Sequence, residues 1–227
     1  MSQIVYIGGF DNGQATAAAV AAALSLSHKV RTFTFSEAIG NLDVVRKAVH
    51  GAEVVTHSAG MLVLAGTKPE HVTAFNPPLL SSSSRLAWQS CIKAIRMHTP
   101  GVGLRSFRDM GSVGRFDLSA IAELIAHPVR NLGSIGTIAR FDAVAEAIRL
   151  RHSGIPVTLV YTLGDEFYRL AAYEATARRG GVEVVLLPGI HDELVIRPSE
   201  TLATLQLKTD FRVLPKPLPI PEGISIQ

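Results

Sequence analysis

The chain has 227 residues, of which 47% are hydrophobic and 18% are charged, and its formal net charge is +3. This composition excludes wholesale disorder and is typical of one globular domain near the upper size of a single core. The basic residues are scattered without a one-sided patch, so no nucleic-acid partner is expected, and no apolar run is long enough to span a membrane.

The chain contains a single cysteine, Cys91, which excludes an intramolecular disulfide. Its spacing from Trp88 and Ile92 fits a helical pattern, which favours a buried structural thiol. The N-terminus passes directly into an apolar run at residues 4–7, without the basic segment and cleavage site of a secretory signal. We therefore expect a cytoplasmic protein, or one that is exported without a Sec-type signal.

Apolar runs alternate with helical patterns along most of the chain. The runs are continuous and β-branched, which is typical of parallel strands that are covered on both faces. The alternation predicts an α/β fold with a mostly parallel central sheet, flanking helices and right-handed crossovers. Strands are predicted at residues 4–7, 30–35, 53–56, 72–75, 157–161 and 182–187. Helices are predicted at about 14–27, 42–50, 141–152 and 168–179, and another is predicted from the turn after the third strand to about residue 65.

Residues 79–140 break this alternation, because they contain no convincing strand. Ser84 and Asp117 are placed to cap two helices, and glycine-containing segments separate them. A helical insertion between two strands of such a sheet is a natural lid. We therefore predict a core formed by residues 1–78 and 141–227 and a helical lid or cap at 79–140. The proline-rich tail beyond residue 206 is expected to lie extended on the surface.

The most informative motif is Thr56-His57-Ser58-Ala59-Gly60, which follows the third predicted strand. A strand that turns sharply into a helix can hold a serine hydroxyl at the tip of the turn, provided that the residues two before and two after it are small. Asp165 and His191 each follow a later strand-like run. The order favours a catalytic triad in which Ser58 is the nucleophile, His191 transfers its proton, and Asp165 orients the imidazole.

Such a reaction also needs donors for the negative charge of its transition state. The backbone N–H groups of Ala59, at the start of the predicted helix, and of Phe10, in the glycine loop, are the candidates for this oxyanion hole. Gly9 and Asp11 of the same loop are candidates for substrate contact. No histidine has the spacing of a metal motif such as H-E-x-x-H, so neither a metal nor a cofactor is expected.

Together these motifs resemble the α/β-hydrolase fold superfamily over roughly residues 3–78 and 141–207. The resemblance implies an eight-stranded, mostly parallel sheet with a lid, here without the first one or two antiparallel strands. It also implies a serine hydrolase that cleaves an ester or related carboxylic-acid derivative of a small molecule through an acyl-enzyme on Ser58. The resemblance rests on four segments. They are Thr56-His57-Ser58-Ala59-Gly60, the strand-to-helix turn that we call the elbow; Gly8-Gly9-Phe10, the oxyanion loop; Tyr161-Thr162-Leu163-Gly164-Asp165; and Pro188-Gly189-Ile190-His191 with the helix start Arg197-Pro198-Ser199-Glu200.

Two positions depart from the pattern of that superfamily. Thr56 stands where the elbow usually has a glycine, and Gly8 stands where a histidine commonly precedes the oxyanion-loop glycine. They motivate an alternative, in which the fold binds a hydrophobic small molecule or a partner without turnover. Within the enzyme class, thioesterase, haloperoxidase-like, perhydrolytic and carbon–carbon cleaving activities remain open, as do the substrate and the oligomeric state.

Two assignments near the triad keep alternatives. Glu166 and Asp192 are rivals of Asp165 for the acid, and Asp165 is preferred because it directly ends the strand and turn before it. His57 adjoins the serine, but neighbouring side chains on so sharp a turn point in different directions. We expect His57 to pack behind the elbow rather than to act as the base.

The glycine loop at residues 8–13 also suggests nucleotide binding, because dinucleotide-binding proteins hold a pyrophosphate between a first strand and a first helix. Glu37, near the end of the second strand, could then bind a ribose. Phe10 argues against this interpretation, since it stands where that fingerprint needs a glycine for close backbone approach.

Overall fold

The computed structural model describes residues 3–9, 12–25, 29–78, 141–165 and 180–208. Within these ranges one sheet has the strand order β2-β1-β3-β4-β5-β6, and every neighbouring pair is parallel. The predicted α/β class, the parallel sheet and all six predicted strands are confirmed. The strands are β1 (Gln3–Ile7), β2 (Lys29–Phe33), β3 (Glu53–His57), β4 (His71–Phe75), β5 (Val157–Thr162) and β6 (Glu183–Leu187).

Several predictions fall outside the described residues. They concern the helical lid at 79–140 with Cys91, the helix at 168–179, and the proline-rich tail beyond residue 208. Residues 207 and 208, which the sequence assigns to that tail, instead continue the last described helix, Pro198–Lys208. Among the helices that the structure describes, none combines the length and the apolar character needed to cross a bilayer.

Helices cover both faces of the sheet. They are α1 (Gln14–Leu24), α2 (Phe35–Gly40), α3 (Leu42–Val49), α4 (Ala143–His152), α5 (Glu193–Ile196) and α6 (Pro198–Lys208), with a 3₁₀ helix at Ser58–Leu64. The helix expected after the serine motif is therefore present, but its turns are of the 3₁₀ type.

The sequence prediction is wrong at residues 34 and 35, which we assigned to the second strand. The strand ends at Phe33, and Thr34 caps α2 instead. The Thr34 hydroxyl accepts a hydrogen bond from the Glu37 backbone, while the Glu37 carboxylate accepts one from the Thr34 backbone. This capping box satisfies two donors at the helix start, and it outweighs the strand preference of Thr34 and Phe35.

Alternate residues of each strand enter different cores, because successive side chains of a strand point to opposite faces. In β1, Val5 and Ile7 pack with α2, α3 and α4, whereas Ile4 and Tyr6 pack with α1, α5 and α6. Both faces are therefore buried, and this burial explains why the strands appear in the sequence as unbroken apolar runs.

The order of the strands places a topological switch point at the carboxyl edge of the sheet. The chain adds β2 on one side of β1 and then returns to place β3 on the other side. The loops that follow β1 and β3 therefore leave the carboxyl edge in opposite directions, and ligands bind at such switch points in open α/β sheets. The glycine loop follows β1, and the serine motif follows β3.

Gly60 lets the loop after β3 pack closely against the loop after β1. A Cβ atom at this position would overlap the carbonyl oxygen of Ile7 and lie 2.8 Å from that of Gly8. Because backbone atoms of a central strand cannot easily move aside, only glycine allows the turn after β3 to pack against the end of β1.

We predict that Gly60→Ala lowers the free energy of unfolding by about 2–3 kcal/mol, because the added methyl group overlaps the backbone of β1. Urea denaturation measures the change. Gly40→Ala is the matched control, since a Cβ atom at Gly40 would meet nothing within 4 Å. Equal stability of the two variants would contradict the packing described for Gly60.

Candidate active site

Ser58 occupies the turn between β3 and the 3₁₀ helix. Its φ angle is +48°, in the left-handed region that L-residues with side chains rarely adopt. Such a conformation persists only where the surrounding structure enforces it, and it is common at functional sites. Thr56 is compatible with this turn, since it lies buried within β3 while Ser58 alone takes the left-handed conformation of the turn. Its hydroxyl has no hydrogen-bond partner among the described residues.

The side chains of Ser58, His191 and Asp165 meet at the carboxyl edge of the sheet. His191 Nδ1 lies 2.7 Å from Asp165 Oδ2, and His191 Nε2 lies 3.1 Å from Ser58 Oγ. All three residues are buried. A carboxylate can only accept, so His191 donates from Nδ1 and presents the lone pair of Nε2 to the serine hydroxyl. In this tautomer the imidazole can remove the proton of Ser58.

The loops that carry the acid and the histidine are joined by backbone hydrogen bonds. Leu163 N–H donates to the carbonyl of Leu187, and Gly164 N–H donates to that of Gly189. These bonds continue the β5–β6 ladder beyond the ends of both strands. A Cβ atom at Gly164 would lie 2.7 Å from the Gly189 carbonyl, so this approach requires glycine. The spacing between Asp165 and His191 is therefore fixed by the sheet itself.

Asn76 is a buried residue of the site that we did not predict from the sequence. Its side-chain amide donates to the backbone carbonyl of His191, 2.7 Å away, and to Thr162 Oγ1. Its side-chain oxygen accepts from Thr162 N–H at 2.9 Å. The φ angle of Asn76 is +45°, a conformation that asparagine tolerates better than most residues. A polar residue directly after a buried strand was the available signal in the sequence.

His57 packs behind the elbow, as the sequence predicts, and its ring is fully buried. Nδ1 lies 2.9 Å from Asn12 Oδ1, and Nε2 lies 3.1 Å from the backbone carbonyl of His191. Its ring centroid is 5.3 Å from that of His191. His57 therefore contacts the glycine loop and the histidine loop at once, and each of its ring nitrogens faces an oxygen of those loops.

The glycine loop lies directly against the serine. A Cβ atom at Gly9 would be 3.0 Å from both Ser58 Cβ and His57 Nδ1. Gly9 N–H donates to Asn12 Oδ1 over 2.7 Å, so this donor is already engaged within the loop. Phe10 and Asp11 lie outside the described residues, and Ala59 is buried at the start of the 3₁₀ helix. The assignment of Ala59 and Phe10 as oxyanion donors stays a prediction.

Among the rival acids, Asp192 lies next to His57 rather than at His191 Nδ1, with 3.9 Å between His57 Nε2 and Asp192 Oδ1. Glu166 is not among the described residues. The geometry therefore favours Asp165 as the partner of His191.

His57, His191 and Asp192 form a cluster that could in principle hold a metal ion, since their ligand atoms lie within 4.8 Å of one another. Both ring nitrogens of His191 already face Asp165 and Ser58. A metal ion bound through His191 would have to break one of these contacts, so the cluster is a poor metal site.

The dinucleotide interpretation also meets an obstacle in the structure. The carboxylate of Glu37, which would bind the ribose, closes the capping box of α2 with Thr34 and accepts a hydrogen bond from Gln14. These contacts use both oxygens of the Glu37 carboxylate, which therefore has a structural role at the start of α2 and is poorly placed to bind a ribose.

No protein-family model matches the sequence, and a comparison with curated proteins finds no significant match. Solved structures do match. N-formylmaleamic acid deformylase from Pseudomonas putida S16 has a TM-score of 0.63 at 14% identity, with 90% of this chain and 91% of that chain covered. An esterase from Thermogutta terrifontis has a TM-score of 0.59 at 14% identity, with 94% and 90% covered.

The enol-lactonase from Burkholderia xenovorans LB400 is similar over 92% of both chains, with a TM-score of 0.58 at 15% identity. The chain has the α/β-hydrolase fold. The fold that the sequence resemblance implies is thereby confirmed. At these identities the likeness establishes the α/β-hydrolase fold alone, so the activity has to be inferred from the site.

We predict that Asn76→Gly lowers the free energy of unfolding by about 2–3 kcal/mol. Glycine keeps the backbone conformation but removes three buried side-chain hydrogen bonds, each worth about 1 kcal/mol. Thermal or urea unfolding measures the loss. Asn41→Gly is the control, because Asn41 is exposed and a glycine at an N-cap costs only about a few tenths of a kcal/mol. A loss at Asn76 no larger than at Asn41 would disprove the role assigned to the amide.

Proposed function

We propose that the protein is a serine hydrolase that cleaves an ester or a related carboxylic-acid derivative through an acyl-enzyme on Ser58. The observation that carries this proposal is the continuous chain from Asp165 Oδ2 to His191 and on to Ser58 Oγ, with distances of 2.7 and 3.1 Å. A serine hydroxyl is a weak nucleophile at neutral pH, and this arrangement supplies the base that activates it.

In the first half of the proposed reaction, Ser58 Oγ attacks the carbonyl carbon of the substrate and its proton moves to His191 Nε2. Asp165 stabilises the imidazolium, and the N–H groups of Ala59 and Phe10 stabilise the oxyanion. The tetrahedral intermediate then expels the leaving group, which takes the proton from His191, and the acyl group stays on Ser58.

In the second half, His191 removes a proton from a water molecule that attacks the acyl-enzyme. Collapse of the second intermediate releases the carboxylic acid, and the proton returns from His191 to Ser58. The cycle needs neither a metal nor a cofactor, as the sequence predicts.

The names of the similar structures support a carboxylic derivative as the substrate class, since they are a deformylase, an esterase and an enol-lactonase. They do not select one substrate for this chain, because they differ among themselves. A cytoplasmic location and a small-molecule substrate remain part of the proposal.

We predict that a fluorophosphonate probe adds one adduct per chain, on Ser58, because only an activated serine attacks such a reagent at a useful rate. Intact-mass measurement and peptide mapping locate the adduct. Ser58→Ala should not react and should lose turnover of short p-nitrophenyl esters by at least about 10³-fold. Ser153→Ala is the matched control, since Ser153 is an exposed serine at the end of α4 and should leave labelling intact.

An unlabelled but folded wild-type protein that turns over no short ester would contradict the hydrolase proposal. Equal affinity of wild type and Ser58→Ala for a hydrophobic ligand, without product from either, would then favour the binding function.

We predict that Asp165→Asn lowers kcat/KM for p-nitrophenyl esters by about 10³–10⁴-fold, because the variant loses the charge and the tautomer that Asp165 imposes on His191. Asp192→Asn is the comparison variant, and its loss should be at least tenfold smaller, since Asp165 Oδ2 lies 2.7 Å from His191 Nδ1 whereas Asp192 Oδ1 lies beside His57 Nε2. A larger loss in Asp192→Asn than in Asp165→Asn would reassign the acid of the triad.

A further inference from the structure

Both ring nitrogens of His57 face oxygen atoms that accept hydrogen bonds. Nδ1 lies 2.9 Å from Asn12 Oδ1, and Nε2 lies 3.1 Å from the backbone carbonyl of His191. The carbonyl can only accept. The orientation of the Asn12 amide is set independently, because Gly9 N–H donates to its oxygen over 2.7 Å and would clash with an amide nitrogen in that place.

A neutral imidazole carries one N–H group, so one of its nitrogens would point a lone pair at an oxygen in this environment. An imidazolium ion donates from both nitrogens and satisfies both contacts. A buried charge also needs an opposite charge nearby. Asp192 supplies it, with its Oδ1 atom 3.9 Å from His57 Nε2.

We propose that His57 is a positioning residue held as an imidazolium, whose two N–H groups tie the glycine loop, through Asn12, to the backbone of His191. The Nδ1–H group holds Asn12, whose side-chain oxygen also accepts from Gly9 N–H in the predicted oxyanion loop. The Nε2–H group holds the main-chain carbonyl of His191, the proposed base. The effect on catalysis rests on the proposed function, whereas the protonation state of His57 does not.

A fixed positive charge at His57 also acts on His191 directly, since their ring centroids are 5.3 Å apart. It opposes the protonation of His191 and keeps the base neutral at lower pH. Among the described residues, the titratable groups around the pair are Asp165 at His191 Nδ1, Asp192 beside His57, and the hydroxyl of Tyr6, which reaches Asn12. The two carboxylates favour cationic histidines, so the charge of His57 is stabilised while its repulsion of His191 is only partly offset.

The first test is a ¹⁵N NMR spectrum of the wild-type protein with labelled histidine, which reports the protonation of each ring nitrogen. We expect one histidine with protons on both nitrogens at neutral pH, and we expect its signals to be lost in His57→Gln. His152→Gln is the control, because His152 is an exposed residue at the end of α4 and its loss should leave those signals in place. A His57 ring with one bare nitrogen at neutral pH would overturn the proposal.

The second test is the pH dependence of kcat/KM with p-nitrophenyl butyrate. We expect His57→Gln to move the acid limb of the profile to higher pH by about one unit, because His191 is protonated more easily once the neighbouring charge is gone. We also expect kcat to fall by about 10–100-fold from misplacement of His191, with little change in KM. His152→Gln should keep the wild-type profile.

If the acid limb of His57→Gln stays within about 0.2 pH units of the wild-type limb, no charge on His57 acts on His191. That result would overturn the electrostatic part of the proposal. Failure of the hydrolase proposal would look different, since a wild-type protein without ester turnover or probe labelling could still show a doubly protonated His57. The NMR measurement uses the wild-type protein, so it decides the protonation state even if His57→Gln does not fold.

Discussion

The hydrogen bond between His191 Nδ1 and Asp165 Oδ2 is the interaction on which the rest of the site depends. It selects the tautomer in which Nε2 can accept a proton, and the proposed reaction needs this tautomer to give Ser58 a base. Two sets of hydrogen bonds hold His191 and Asp165 in this arrangement. Cross-strand hydrogen bonds fix the acid loop to the histidine loop, and Asn76 and His57 hold the backbone carbonyl of His191. The imidazole therefore has little freedom to turn away from the serine.

The position of the serine follows from the topology of the sheet. The side on which strands are added to the sheet changes between β1 and β3, which places a topological switch point at the carboxyl edge where the glycine loop and the elbow meet. Ser58 adopts a left-handed backbone conformation there, at a cost of the order of 1 kcal/mol or more. Packing of Gly60 on the backbone of β1, together with the hydrogen bonds of His57, offsets this cost.

The sheet and the triad candidates could be predicted from sequence because their signals are local. Buried parallel strands appear as unbroken apolar runs, and the motif around Ser58 has the small residues that its turn requires. The start of α2 was missed because Thr34 and Phe35 suit a strand as well as a capping box. Asn76 and Asn12 were missed for another reason. Their partners lie 115 and 45 positions away along the chain, so no local pattern could reveal those contacts.

The most direct measurement of the central claim is a crystal structure of the protein after reaction with a phosphonate that mimics the tetrahedral intermediate. The account predicts a covalent bond from Ser58 Oγ to phosphorus, with a phosphoryl oxygen within about 3 Å of Ala59 N and with the His191–Asp165 bond intact. An unmodified Ser58, or an adduct whose phosphoryl oxygen points away from Ala59 with the His191 ring turned from Asp165, would contradict it.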